Sequence, residues 1–286
     1  MRKPVYATNA PLRADTRIWE LDFLRGVCVL LMVFDHVMYD IGDLFSSAWK
    51  GTGNEFLIDL CDKAYQYYFH SPVRAVVQPL VVIIFCVLCG ISCSFSRSNL
   101  KRGVQVAFGA MCVTAVTFAI EVPIRFGILH MFTFAILTWW LIDTICRHKR
   151  YVTAIVCFVV GLTIVIVNAV LMKQYNLDHH AFATDNEWAW LGQFMYGDTW
   201  DYSYSADYQP VFPLVGYMLL GASAAPLLYP RRRSLLPWLG KYDWYRPFSM
   251  WGRIALPVYL VHQVAVAAIL ALISFLWITP GDFVII

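Results

Sequence analysis

Arg25 and His36 stand eleven positions apart in RIWELDFLRGVCVLLMVFDHVMYDIGD, residues 17–43, a stretch that is continuously apolar over 27–34. On an α-helix eleven steps of ~100° return to within ~20° of the starting direction and rise ~16.5 Å. One helix face therefore carries a guanidinium at one depth and an imidazole three turns away. Asp22, at i−3 from Arg25, and Asp40, at i+4 from His36, extend the same stripe, and Asp35 sits beside it. Ionisable groups are costly in a segment of membrane length, so such a stripe reads as a path or a site.

A neutral His36 imidazole, oriented by Asp40 or Asp35, suits general-base work on an attacking hydroxyl or amine, or service as a transient acyl carrier. Its plainer reading is a histidine satisfied by a polar group of a neighbouring helix. Arg25 near a helix end has its own plain reading, a side chain snorkelling to headgroups. As part of a site it is a phosphate or pyrophosphate anchor, with Asp22 a further candidate on the donor side. A ligand gripped at Arg25 with a slender arm of ~16 Å would present its far end to His36. Coenzyme A has that shape. A second group follows in Glu121-Val-Pro-Ile-Arg125 and Gly127-Ile-Leu-His130, where Glu121 and Arg125 are candidates for binding the acceptor and His130 for catalysis. The third is Leu256-Pro-Val-Tyr259-Leu-Val-His262-Gln263, with His262 and Gln263 as candidates on the donor side. Three histidines are thus expected to converge from three helices. Cys86, Cys89 and Cys93 share a helical face without His or carboxylate partners, which fits close packing of small residues better than a metal site, and no metal is expected.

The elements that must position these groups follow from composition. The chain is 59% hydrophobic and 14% charged, with mean hydropathy +0.58, against about 25% charged for an ordinary soluble domain. It reads as an integral membrane protein: an all-α, polytopic bundle in one domain over residues 1–286. Apolar runs of membrane length give about seven spans, at 22–42, 78–95, 104–120, 128–146, 152–172, 211–229 and 254–278. The first is basic at its start and lacks a small-residue cleavage site, so it reads as an uncleaved signal anchor.

Positive charge alternates between the connections. Arg2, Lys3, Arg13 and Arg17, then Arg97, Lys101 and Arg102, then Arg147, Lys149 and Arg150, then the group from Arg231 to Arg253 fall on one side, with few basic residues on the other. The positive-inside rule makes 1–17 a cytoplasmic tail and puts the C-terminus outside. The long connections 43–77 and 173–210 are then external loops, rich in acids and aromatics such as Trp49, Tyr65, Trp188, Trp200 and Asp207. Such surfaces suit a sugar or an amino-bearing ligand, with an interfacial aromatic belt as the plain alternative. The small net charge of +3 suggests no nucleic-acid partner.

Trp19-Glu-Leu-Asp22-Phe-Leu-Arg25-Gly26, with His36 at Arg-x10-His spacing, resembles the opening of the heparan-α-glucosaminide N-acetyltransferase catalytic-domain family. It is also similar to the first helix of the acyltransferase-3 family, whose members O-acylate cell-surface polysaccharides. Cys89-Gly90-Ile91-Ser92, Gly127-Ile-Leu-His130 and the LPVYLVHQ segment carry the resemblance through the chain. It implies a multi-pass enzyme of the cell membrane that takes acetyl-CoA as cytoplasmic co-substrate and acetylates a glycan or amino sugar on the far side. His36 would be its catalytic histidine and Arg25 part of the surface facing coenzyme A. A homo-oligomer is compatible with this reading. The competing reading is a proton-coupled transporter with a relay through His36, Asp40, His130 and His262.

Overall fold

The computed structural model describes residues 18–96, 98–119, 121, 124–174 and 207–277. Among them the secondary structure is helical, apart from a lone bridge between Phe126 and Tyr208. In chain order the helices are α1 (Trp19–Tyr39), α2 (Ser46–Gly51), α3 (Glu55–His70), α4 (Pro72–Phe95), α5 (Asn99–Ala119), α6 (Ile128–Ile145), α7 (Arg150–Gln174), α8 (Val211–Leu228), α9 (Arg246–Arg253) and α10 (Ala255–Trp277). A wider π-helical turn, Asp40–Leu44, continues α1.

Six of these, α4, α5, α6, α7, α8 and α10, contain stretches long and apolar enough to cross a membrane. The protein is an integral membrane protein with a polytopic all-α bundle. The expected first span, α1, has 21 residues, enough for ~31 Å, but carries Glu20, Asp22, Arg25 and Asp35. Its charges turn toward protein partners.

Residues 43–77 are not a loop. Asn54 caps α3, its Oδ1 accepting from Phe56 N and Leu57 N, and Ser71 Oγ accepts from Arg74 N with Pro72 at the first turn of α4. Trp49, Leu57, Cys61 and Ala64 bury themselves with Leu270 of α10 in a small core. Trp49 also donates its indole N–H to Ser274 Oγ at 2.6 Å. Apolar side chains thus fold this stretch onto α10, and α4 begins six residues before the expected boundary. Most of the second expected loop, 173–210, lies outside the described residues.

The main core gathers α4, α6, α7 and α8 around Met131, Ile136, Met218 and Leu219. The most enclosed of the apolar helices is α8, buried over 61% of its membrane-length stretch against 17–33% for the others. Glycines let backbones meet at two seams. A Cβ at Gly26 of α1 would strike the Phe248 carbonyl of α9, and one at Gly252 of α9 would strike the Asp22 carbonyl of α1. Gly90 and Gly221 do the same between α4 and α8. Small residues at a helix contact bring the backbones close enough for dispersion to act along the whole crossing. Replacing Gly26 by Ala is expected to destabilise the detergent-solubilised protein by about 1–3 kcal/mol, read as a lower thermal midpoint. Gly51→Ala, where the added Cβ meets nothing within 4 Å, is the control and should leave the midpoint in place.

Candidate active site

A cavity of about 700 Å³ runs along α1, walled by Asp22, Arg25, Cys28, Val29 and Met32 at helical spacing. Residues of α4, α5, α6, α9 and α10 close it from the other sides. Its two ends differ in chemistry. At one end stand Arg25, Arg102, Arg232 and Arg253, four guanidiniums against the single carboxylate of Asp22. Toward the other, Val81, Val82, Phe85, Leu129 and Phe132 make the wall apolar until it ends at Met32 and Tyr259.

Arg25 points into the bundle. Its Nη1 donates to Asp22 Oδ1 at 2.9 Å and to the Gly252 carbonyl at 3.5 Å, and its Nη2 donates to Ser92 Oγ at 2.7 Å. Arg253 Nε lies 3.5 Å from Asp22 Oδ2, so Asp22 holds two of the four cations in place. An array of fixed guanidiniums in a recess can bind phosphate through charge and through paired N–H donors.

His36 follows Met32 by one turn on the same face. Its Nδ1 donates to the Met32 carbonyl at 2.9 Å. His262 repeats the arrangement on α10, with Nδ1 donating to the Tyr259 carbonyl at 2.7 Å. The two imidazoles pack edge to face, ring centres 4.8 Å apart at 88°. Carbonyl oxygens only accept, so in the neutral form of each ring the proton sits on Nδ1 and Nε2 carries the lone pair. His262 Nε2 is buried with no hydrogen-bond partner. The carbonyls that fix the two tautomers belong to Met32 and Tyr259, the residues at which the cavity ends.

The model of the catalytic region of heparan-alpha-glucosaminide N-acetyltransferase matches residues 17–264, taking in both the Arg25 end and the His262 end of the constellation. The chain belongs to this family. No curated protein and no solved structure matches it. Membership in the heparan-alpha-glucosaminide N-acetyltransferase family makes the cavity and the histidine pair beyond its end the candidate site of a membrane acetyltransferase.

Several expected contacts form differently in this family member. His36 is oriented by a backbone carbonyl, not by Asp35 or Asp40. Asp35 faces Arg74 instead: Arg74 Nε and Nη2 donate to its two oxygens at 2.6 and 2.9 Å, and the guanidinium lies 3.6 Å over the Tyr68 ring. Nearby on α3, burial and the Asp35 carboxylate push the Tyr67 phenol up from its ordinary pKa. Asp40 is fully buried and accepts from Gln263 Nε2 at 2.8 Å, with its Oδ2 unpartnered. Gln263 and His262, expected on the donor side, are not in the cavity wall; Gln263 donates to Asp40 and His262 packs on His36.

His130 stands apart from the histidine pair. Its Nδ1 accepts from Gly127 N at 3.2 Å and its Nε2 meets Thr114 Oγ1 at 3.2 Å, while that hydroxyl donates to the Ile124 carbonyl. With both ring nitrogens engaged it caps α6 and ties α6 to α5. Two histidines converge, not three. Glu121 is exposed at a left-handed position, φ 61°, and Arg125 lies 5.5 Å from the Phe118 ring, both at the α5–α6 turn outside the cavity wall.

Sequence reasoning did not assign Arg102, Arg232, Arg253, Ser92, Tyr259 or Arg74 to the site. The first three also fit the positive-inside pattern, so their charge alone does not mark them as site residues. The Ser71-Pro72 helix start was the signal that would have placed Arg74 on a helix. Among the described residues no three His, Cys, Asp or Glu side chains group as a metal site.

Proposed function

We propose that the protein transfers an acetyl group from cytoplasmic acetyl-CoA to an acceptor on the far side of the cell membrane, an amino sugar or cell-surface glycan. The observation that carries this reading is the two-ended cavity, cationic at Arg25 and apolar toward Met32. The phosphates of the donor bind at the arginine end and its pantetheine arm follows the α1 face. Arg102 comes from one connection, and Arg232 and Arg253 from another, that the positive-inside rule assigns to the cytoplasm, which supports donor entry from that side. In the transfer, the acceptor's N–H or O–H gives its proton to His36 Nε2 while its heteroatom bonds to the thioester carbonyl carbon. The C–S bond then breaks, its electron pair leaves on the coenzyme A sulfur, and the sulfur takes up the proton.

Cys89 is a built-in reporter, since it is half-buried in the cavity wall and free. Acetyl-CoA is expected to slow maleimide alkylation of Cys89, mapped by mass spectrometry, without protecting the exposed Cys112. Labelled acetyl-CoA should in the same preparation pass its label to glucosamine-bearing oligosaccharides. Alkylation of Cys89 at an unchanged rate, together with solute uptake by liposomes driven by a pH gradient, would transfer the assignment to the proton-coupled transporter.

A further inference from the structure

A second cavity of about 530 Å³ adjoins the first at the arginine end. The two share Ser96 and Arg232 in their walls. It lies where α4 ends and where α5 and α7 begin, so Asn99 and Arg150, in the first turns of two long helices, both border it. The positive ends of two helix dipoles favour an anion there.

The wall is built and polar. Asp143 is fixed by His148 Nδ1 at 2.6 Å and by the Thr153 hydroxyl at 3.0 Å. Arg150 donates to the carbonyls of Tyr229 and Pro230 at 3.2 and 3.1 Å, anchoring the segment that carries Arg232. Arg232 itself lies 5.4 Å over the Phe95 ring, between the two cavities. Trp140 contributes a half-buried aromatic surface, and Trp139 beside it has a buried indole N–H without a hydrogen-bond partner.

Resting on the donor reading above, we infer that this second cavity holds the 3′-phosphoadenosine end of coenzyme A. The donor is a two-armed molecule joined at its pyrophosphate. With the pyrophosphate among the four arginines and the pantetheine arm in the apolar cavity, the nucleotide arm leaves past Arg232 and Ser96. Adenine has an aromatic face for Trp140 and hydrogen-bonding edges for Asn99 and Asp143, and the 3′-phosphate meets Arg232 and the two helix starts. The volume lies within the ~300–1,000 Å³ usual for pockets that enclose a ligand.

The test compares two donors on the full chain in detergent: acetyl-CoA and S-acetyl-4′-phosphopantetheine, which lacks the nucleotide. Base stacking on an aromatic ring carries ~1–3 kcal/mol, so Trp140→Ala should weaken acetyl-CoA binding about tenfold and leave the truncated donor as in wild type. Ser98→Trp is the second variant, because Ser98 is exposed in the α4–α5 connection and a bulky side chain there fills the cavity without entering a helix. It too should penalise acetyl-CoA alone. Unchanged acetyl-CoA binding in both variants, or equal losses for both donors, overturns the nucleotide site while the donor reading stands. A wild type that binds neither donor overturns both.

Discussion

His36→Ala is expected to lower acetyl transfer by about 10²–10⁴-fold, the usual reach of a positioned general base, and to leave acetyl-CoA affinity within about a factor of two. The two parameters should separate because His36 lies one turn beyond the end of the cavity proposed for the donor, behind the Met32 carbonyl that its Nδ1 occupies. On the proposed reading, removing the ring deletes a proton acceptor without altering the cavity wall. Single-turnover transfer and equilibrium donor binding on the same preparation measure the two effects. Equal losses in both, with thermal stability intact, would place His36 in binding instead. His130→Ala makes the contrast: it loses the cap of α6 and the tie to Thr114, so its damage should appear mainly in stability, by about 0.5–2 kcal/mol.

Arg25→Ala is expected to weaken acetyl-CoA binding by about tenfold to a hundredfold, since hydrogen bonds to charged groups contribute ~1.5–3 kcal/mol. Two effects add. The variant loses a cation at the arginine end, and it leaves the Asp22 carboxylate facing an incoming phosphate without the Arg25 guanidinium that pairs with it. Asp22→Asn in the same background should therefore recover part of the affinity, a coupling that a double-mutant cycle reads directly. Turnover at saturating donor should change much less than the dissociation constant. Calorimetric titration of the single and double variants checks both statements, and an Arg25→Ala protein that binds the donor like wild type would remove Arg25 from the anchor.

Helical period made the working face of α1 legible. Asp22, Arg25, Cys28, Val29 and Met32 line the cavity in the order that ~100° per residue predicts, and His36 continues the row. Partners lying far apart in sequence were not legible. Nothing near Asp35 announces Arg74, because residues 43–77 fail a test based on long apolar runs: their apolar side chains are spaced for one face of short amphipathic helices. The helix starts at Asn54 and Ser71-Pro72 were readable and carry that information. Arg102, Arg232 and Arg253 illustrate a different limit. A basic residue at a span end serves topology and ligand binding with the same charge, and only the cavity tells the two apart. The His36–His262 pair follows from packing of α1 against α10, which no spacing within either helix encodes.

Two latches join α1 to α4, Arg25 to Ser92 near one end and Asp35 to Arg74 near the other, while the Gly26 and Gly252 seam leaves α9 no slack against α1. Sliding by one residue, ~1.5 Å, would push a side chain into a gap sized for hydrogen. With α10 tied as well, through Gln263 to Asp40, breathing of the chamber is left to the flank where α5 and α6 supply the wall, and those two helices set the stiffness against which any incoming molecule must work.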